Sequence, residues 1–176
     1  MANDRKKTLD ALRIAVQMEI DGKEYYIKAS QASSNSAGRK FLKSLSEAED
    51  IHRQKFIQIY ESVRDKNAWP RAFLSPGANK HLKTIFSTAT ERMAARTNVL
   101  KDELDAVQLA IKKESQTFDF YTKRSAKATG EAEKTYYSAI ADEEREHHLA
   151  LSDYYEFLKN PAGWFFKHEH PSIDGG

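Results

Sequence analysis

The sequence predicts an all-α fold: a four-helix bundle with one long crossover connection, a short extra helix inside that connection, and a two-fold internal repeat. Three observations predict it. The 4 prolines and 7 glycines of the 176 residues cluster, which leaves long uninterrupted segments. Within those segments apolar residues recur at helical spacing. The two halves of the chain also match each other at a constant shift. A mean hydropathy of −0.73 beside 40% hydrophobic residues agrees with long amphipathic helices, each showing a broad polar face to water.

The first helix carries Leu9, Leu12, Ile14, Val16, Ile20 and Ile27 at helical spacing. Ser33, Ser34, Asn35 and Ser36, followed by Gly38, mark a turn. A second helical pattern holds Phe41, Leu42, Leu45, Ile51, Phe56, Ile59 and Val63. Residues 67–79 contain Pro70, Pro76 and Gly77 and read as a loop, and residues 80–95 read as a shorter helix within the long connection. A third long helix is expected from about Thr97 to Thr129, stopping at Gly130. A fourth is expected from about Glu131 to Lys159, ended by Pro161-Ala162-Gly163. Residues 1–160 thus read as the bundle and 161–176 as a C-terminal tail.

Composition narrows the function classes. Lys and Arg total 28 against 26 Asp and Glu, a net charge of +2, and no run of like charge forms a nucleic-acid stripe. The absence of cysteine excludes disulfides, iron–sulfur clusters and Cys-type zinc sites, and fits a reducing cytoplasm. No apolar run is long enough to span a bilayer, and residues 1–7 lead into an amphipathic pattern rather than a signal-peptide core. The expectation is a cytoplasmic protein without nucleic-acid or membrane partners.

The repeat carries the chemistry. At a shift of 95 positions Leu9-Asp10-Ala11 meets Leu104-Asp105-Ala106, Ala15 meets Ala110, and Tyr60-Glu61 meets Tyr155-Glu156. Glu19 meets Glu114, Tyr26 meets Tyr121, Glu47 meets the acidic Asp142, Glu49 meets Glu144 and His52 meets His147. A repeated core alone would match Leu and Ile, not Glu and His. Glu49-x-x-His52 and Glu144-x-x-His147 each put a carboxylate and an imidazole on one helix face. Glu19 and Glu114 lie 30 residues before Glu49 and Glu144. With turns near Ser34 and Gly130, each member of a pair lies roughly 22 Å from its turn, at about 1.5 Å per residue, so the pairs stand level. All six side chains can meet in one layer.

Four carboxylates and two imidazoles are the ligand set of di-iron and di-manganese carboxylate bundles. Hard oxygen with borderline nitrogen suits two iron ions, with Mn or Zn as substitutes. Four carboxylates buried without cations would be very costly, and two divalent ions balance them. A lone Glu-x-x-His is a weak signal, whereas two copies with equally spaced upstream glutamates are a strong one. Tyr26 and Tyr121 follow Glu19 and Glu114 by seven residues, close enough on the same face to hydrogen-bond a metal carboxylate. Glu143, Glu146 and His148 read as solvated surface beside the motif. His81 has no partner pattern, and His168-Glu169-His170 reads as a polar terminus. Trp164, Phe165 and Phe166 are expected to cap one end of the bundle or to pack on a neighbour.

On these residues, from about Leu9 to Lys159, the sequence resembles the rubrerythrin branch of the ferritin-like superfamily. Its ending, Asn160 to Phe165 with Asp174-Gly175-Gly176, is similar to single-domain members of that branch. The resemblance implies a non-haem di-iron centre, held by Glu19, Glu49, His52, Glu114, Glu144 and His147, that reacts with hydrogen peroxide or dioxygen. Two departures stand out. Typical rubrerythrins carry a rubredoxin domain with four cysteines; this chain has none, so electrons would come from a separate rubredoxin-like donor protein. They also carry a second carboxylate three residues after the first on the third helix, where this chain has Thr117. The leading expectation is a di-iron peroxidase or oxidase. An iron oxidation and storage protein, or a metal-binding bundle without enzymatic activity, are the alternatives. A homodimer is expected, and exchange of hairpins through residues 64–96 is one route to it.

Overall fold

The computed structural model describes residues 2–70 and 101–169. Helix α1 spans Ala2–Ala32, α2 Ser36–Lys66, α3 Lys101–Lys127, α4 Glu131–Lys159 and α5 Pro161–Glu169. The described residues form no strand, and α1 pairs with α2, and α3 with α4, as antiparallel hairpins. The all-α four-helix bundle is therefore present. The predicted helix over 80–95 lies outside the described residues, as do residues 97–100 of the predicted third helix. Among the described residues no helix is long and apolar enough to cross a membrane.

The first turn is tighter than the sequence implied. Asn35 is the N-cap of α2, with an extended backbone, and its side chain accepts from the Gly38 amide at 2.5 Å. Gly38 therefore lies inside α2, not in the turn. A Cβ there would stand 2.0 Å from the Tyr154 hydroxyl and 2.6 Å from Ser33 Oγ, so glycine is needed for close packing rather than for a turn. Asn67 ends α2 in the left-handed region at φ 51°. Gly130 is not the left-handed stop expected for α3: its φ is −99°, and it serves as the N-cap of α4. Pro161 ends α4 but opens α5, since the first helical position does not need an amide donor.

Burial selects among the apolar residues of the periodic pattern. Leu12 and Ala15 of α1 are fully buried, but Ile14 and Ile27 face out, as does Ile51 of α2. At about 100° per residue, Ile14 lies roughly 200° around the helix from Leu12, beyond the stripe that meets the bundle. The core is split in two. One part gathers Tyr26, Phe41, Leu45, Leu151, Tyr154 and Phe157. The other gathers Leu12, Phe56, Ile59, Tyr121, Tyr136 and Tyr137. Trp164 and Phe165 of α5 close the first part edge-on against Phe157, at 5.6 and 5.9 Å, and the Trp164 indole donates to Asp153. Phe166 instead faces solvent. Trp69 packs on Tyr136 and Tyr137 at the other end.

A buried polar clamp ties the first turn to the start of α3. Glu103 accepts from the hydroxyls of Ser33 and Ser34 at 2.6 Å each, from the Ser34 amide at 3.2 Å and from Tyr154 at 3.0 Å. The end of α1 is thereby fixed beside the beginning of α3, so these two helices run antiparallel. α2 therefore ends at the opposite end of the bundle from the start of α3. Glu103→Ala would strand several buried donors at once. The expected loss is about 2–3 kcal/mol of unfolding free energy in a urea titration, with helix content retained.

Candidate metal centre

Between the two halves of the core lies a polar layer. Each of the four long helices supplies it: Glu19 from α1, Glu49 and His52 from α2, Glu114 from α3, Glu144 and His147 from α4. All six residues are at most 3% exposed. The structure thus brings together the six Glu and His residues that the sequence placed in one layer. Glu19, Glu49, His52 and Glu144 have potential ligand atoms within 4.8 Å of one another, and so do Glu49, Glu114, Glu144 and His147. Glu49 and Glu144 belong to both groups, which the sequence did not reveal.

Both imidazoles turn Nδ1 into the layer. His52 Nδ1 is 3.1 Å from Glu144 Oε1 and 3.4 Å from Glu19 Oε2. His147 Nδ1 is 3.2 Å from Glu49 Oε1 and 3.6 Å from Glu114 Oε2. The two rings lie nearly parallel, 5.7 Å apart. The tyrosines tie the hairpins together reciprocally: Tyr26 of α1 donates to Glu114 of α3, and Tyr121 of α3 donates to Glu19 of α1.

The fit to metal can be tested on the unpartnered atoms. Glu19 Oε2, Glu49 Oε1, His52 Nδ1, Glu114 Oε2, Glu144 Oε1 and His147 Nδ1 are all buried without a hydrogen bond among the described residues. One atom from each of the six residues is left unsatisfied, in the places where cations would be bound. Buried polar atoms are normally paired, so this concentration fits a dinuclear metal site.

Without cations, protons must compensate the charge. Burial pushes the Glu49 carboxyl well above its ordinary 4.5, and the charges of Glu144, Glu19 and Glu114 push it further. Glu144 is raised by burial and by Glu114, against the pull of the two histidines. Burial also acts on Glu114, but the neighbouring His147 imidazole outweighs it and holds this carboxyl below its ordinary value. For His52 and His147 burial favours the neutral form, yet the surrounding carboxylates win and raise both. Tyr26 and Tyr121 are raised well above 10 by burial and by the neighbouring carboxylates, so both keep their hydroxyl protons.

The predicted surface role of Glu143 is corrected. Glu143 is 7% exposed and its Oε2 stands 2.8 Å from His52 Nε2. The helix angle suggested outward placement, but Glu143 faces α2, so its carboxylate crosses to the other hairpin. A signal was present: Glu143 breaks the repeat, since its counterpart is Ala48. Glu146 and His148 are half-buried rather than fully solvated. His81 and His170 lie outside the described residues; His168 is on α5, with its side chain outside them.

Thr117, the position without the expected carboxylate, donates its hydroxyl to Glu144 Oε2 at 2.9 Å. Its repeat counterpart is Gly22, where an added Cβ would approach Glu49 Oε2 to 2.9 Å. Between these two positions a cavity of about 180 Å³ runs from exposed Asp21 and Gln116 down to Glu49, Glu114 and Glu144. It is well below the size of a pocket for drug-sized ligands.

A family model described as Rubrerythrin matches residues 10–155. No curated protein and no solved structure matches the chain.

The pKa directions fix a sign for the metal-free protein. Glu49, Glu144, His52 and His147 hold protons more tightly folded than unfolded. Above the ordinary carboxyl value of 4.5 the folded state therefore binds more protons than the unfolded chain, and stability falls as pH rises. The lowered Glu114 acts oppositely, but only at and below that value. The Tm of metal-free protein should decline from about pH 5 to about pH 8 in calorimetry. Zn²⁺ or Mn²⁺ should raise it, by about 2.7 kcal/mol of stability at roughly one hundred times Kd. The gain should grow with pH, because metal displaces the protons.

Proposed function

The chain belongs to the rubrerythrin family, and we propose that it is a non-haem di-iron oxidoreductase that reduces hydrogen peroxide or dioxygen. The observation carrying this reading is the set of six unpartnered ligand atoms, one from each Glu and His, turned into one buried space. Two ferrous ions bound there would supply the two electrons that cleave an O–O bond.

The side chains have separable tasks. Glu49 and Glu144 are common to both ligand groups and would span the two metal positions. Glu19 with His52 would complete one position, and Glu114 with His147 the other. Tyr121 and Tyr26 donate to the other oxygens of Glu19 and Glu114, which leaves one carboxylate oxygen of each free to face metal. The Thr117 hydroxyl does the same for Glu144. The cavity beside Glu49 and Glu144 would admit a molecule of the size of peroxide, dioxygen or water and exclude bulky substrates. Its opening at Asp21 and Gln116 would let solvent deliver the two protons needed to turn peroxide into water. The 176 residues contain no cysteine, so the electrons would come from a donor outside this sequence, of rubredoxin-like type.

Anaerobic titration with Fe(II), followed by one equivalent of peroxide, tests this reading. The expected result is two irons per chain and rapid ferric absorbance. Glu49→Ala and Glu144→Ala should each lose the second iron and the rapid oxidation; full oxidation in either variant would refute the assignment. Gly22→Ala should also weaken iron binding, because its methyl group would press on the Glu49 carboxylate, and equilibrium dialysis would register the loss.

A further inference from the structure

The ligand atoms follow the repeat, but their support does not. His52 has an accepting carboxylate on its far nitrogen, with Glu143 Oε2 at 2.8 Å from Nε2. His147 Nε2 is buried and has no hydrogen-bond partner among the described residues. The repeat explains the difference: the residue equivalent to Glu143 is Ala48, itself 7% exposed and without a polar atom in its side chain.

A neutral imidazole carries one N–H and one lone pair, and only the lone pair can bind metal. At His52 the Glu143 carboxylate accepts from Nε2–H. That fixes the proton on the far nitrogen, leaves the Nδ1 lone pair facing Glu19 and Glu144, and makes the ring more electron-donating. At His147 no such group fixes the tautomer, so metal binding there must also select the proton's position and orient the ring. The tyrosine hydrogen bonds do not create this difference, since Tyr26 and Tyr121 serve the two terminal glutamates alike. Glu49 and Glu144 do not create it either, being common to both groups.

We propose that Glu143 is a positioning residue that makes the two metal positions unequal, so that the position of Glu19, Glu49, His52 and Glu144 fills before that of Glu49, Glu114, Glu144 and His147. This inference rests on the dinuclear reading given above. Outer partners of metal-binding histidines change affinity by about 10–100-fold, which sets the size of the expected split.

The experiment is an anaerobic Co²⁺ titration of the full chain by calorimetry and visible absorbance, joined to ¹⁵N spectra of the histidines in metal-free protein at a pH high enough that both imidazoles are neutral. The wild type should bind two Co²⁺ per chain in two steps separated by about 10-fold or more. The spectra should show His52 held as the Nε2–H tautomer and His147 as a mixture. Glu143→Ala should weaken the tighter step by about 10-fold and release the His52 tautomer, leaving the weaker step in place. Ala48→Glu should tighten the weaker step and fix His147. Glu143→Gln, which can still accept a hydrogen bond, should fall between wild type and Glu143→Ala; it keeps the comparison open if the alanine variant does not fold. Two equal Co²⁺ steps in the wild type, or steps and tautomers unchanged in the Glu143 variants, would overturn the inference and leave the dinuclear reading standing. Fewer than two Co²⁺ per wild-type chain would sink both.

Discussion

Charge compensation in the middle of the bundle governs the rest of the structure. Four carboxylates and two imidazoles sit in a buried layer, each at most 3% exposed. An isolated buried carboxylate would be prohibitively unstable, so the layer must contain protons, cations or both. This one requirement accounts for the raised carboxyl pKa values, the raised histidines and the ligand atoms left without hydrogen bonds. It also accounts for the split core, since the apolar residues form one cluster on each side of the layer.

The surrounding fold supplies rigidity where the layer supplies none. Metal-free carboxylates facing one another repel, so the helices must be held by contacts elsewhere. The aromatic clusters at the two ends do this, closed by Trp164 and Phe165 at one end and by Trp69 at the other. The Glu103 clamp fixes the first hairpin to α3, and the paired tyrosine bonds join α1 and α3 at the layer itself. Close approach is equally important: Gly22 makes room for the Glu49 carboxylate, and Gly38 makes room for Tyr154.

Symmetry and its breaking have different origins here. The six Glu and His residues of the layer and their two tyrosines repeat, so both halves present the same chemistry to one buried space. Glu143 reaches across to His52 of the other hairpin, whereas its repeat mate Ala48 has no polar atom with which to do so. Thr117 and Gly22 differ in the same way, one donating to a carboxylate and the other only giving it space. A repeated sequence can therefore build a centre whose two positions are alike in ligands and unlike in surroundings.

The sequence by itself determined the four long helices, the pairing of hairpins and the six inward-facing Glu and His residues. Those features depend on local periodicity and on spacing along single helices, and the 95-residue shift makes them visible twice. Only the tertiary structure decided which carboxylates are common to both groups, that Glu143 is buried against His52, that Ile14 and Ile27 face out, and that residues after Pro161 form a capping helix. Each of these depends on the rotation of one helix relative to another. A rotation of a few tens of degrees leaves the spacing within a helix untouched, yet it changes which side chains meet across the bundle.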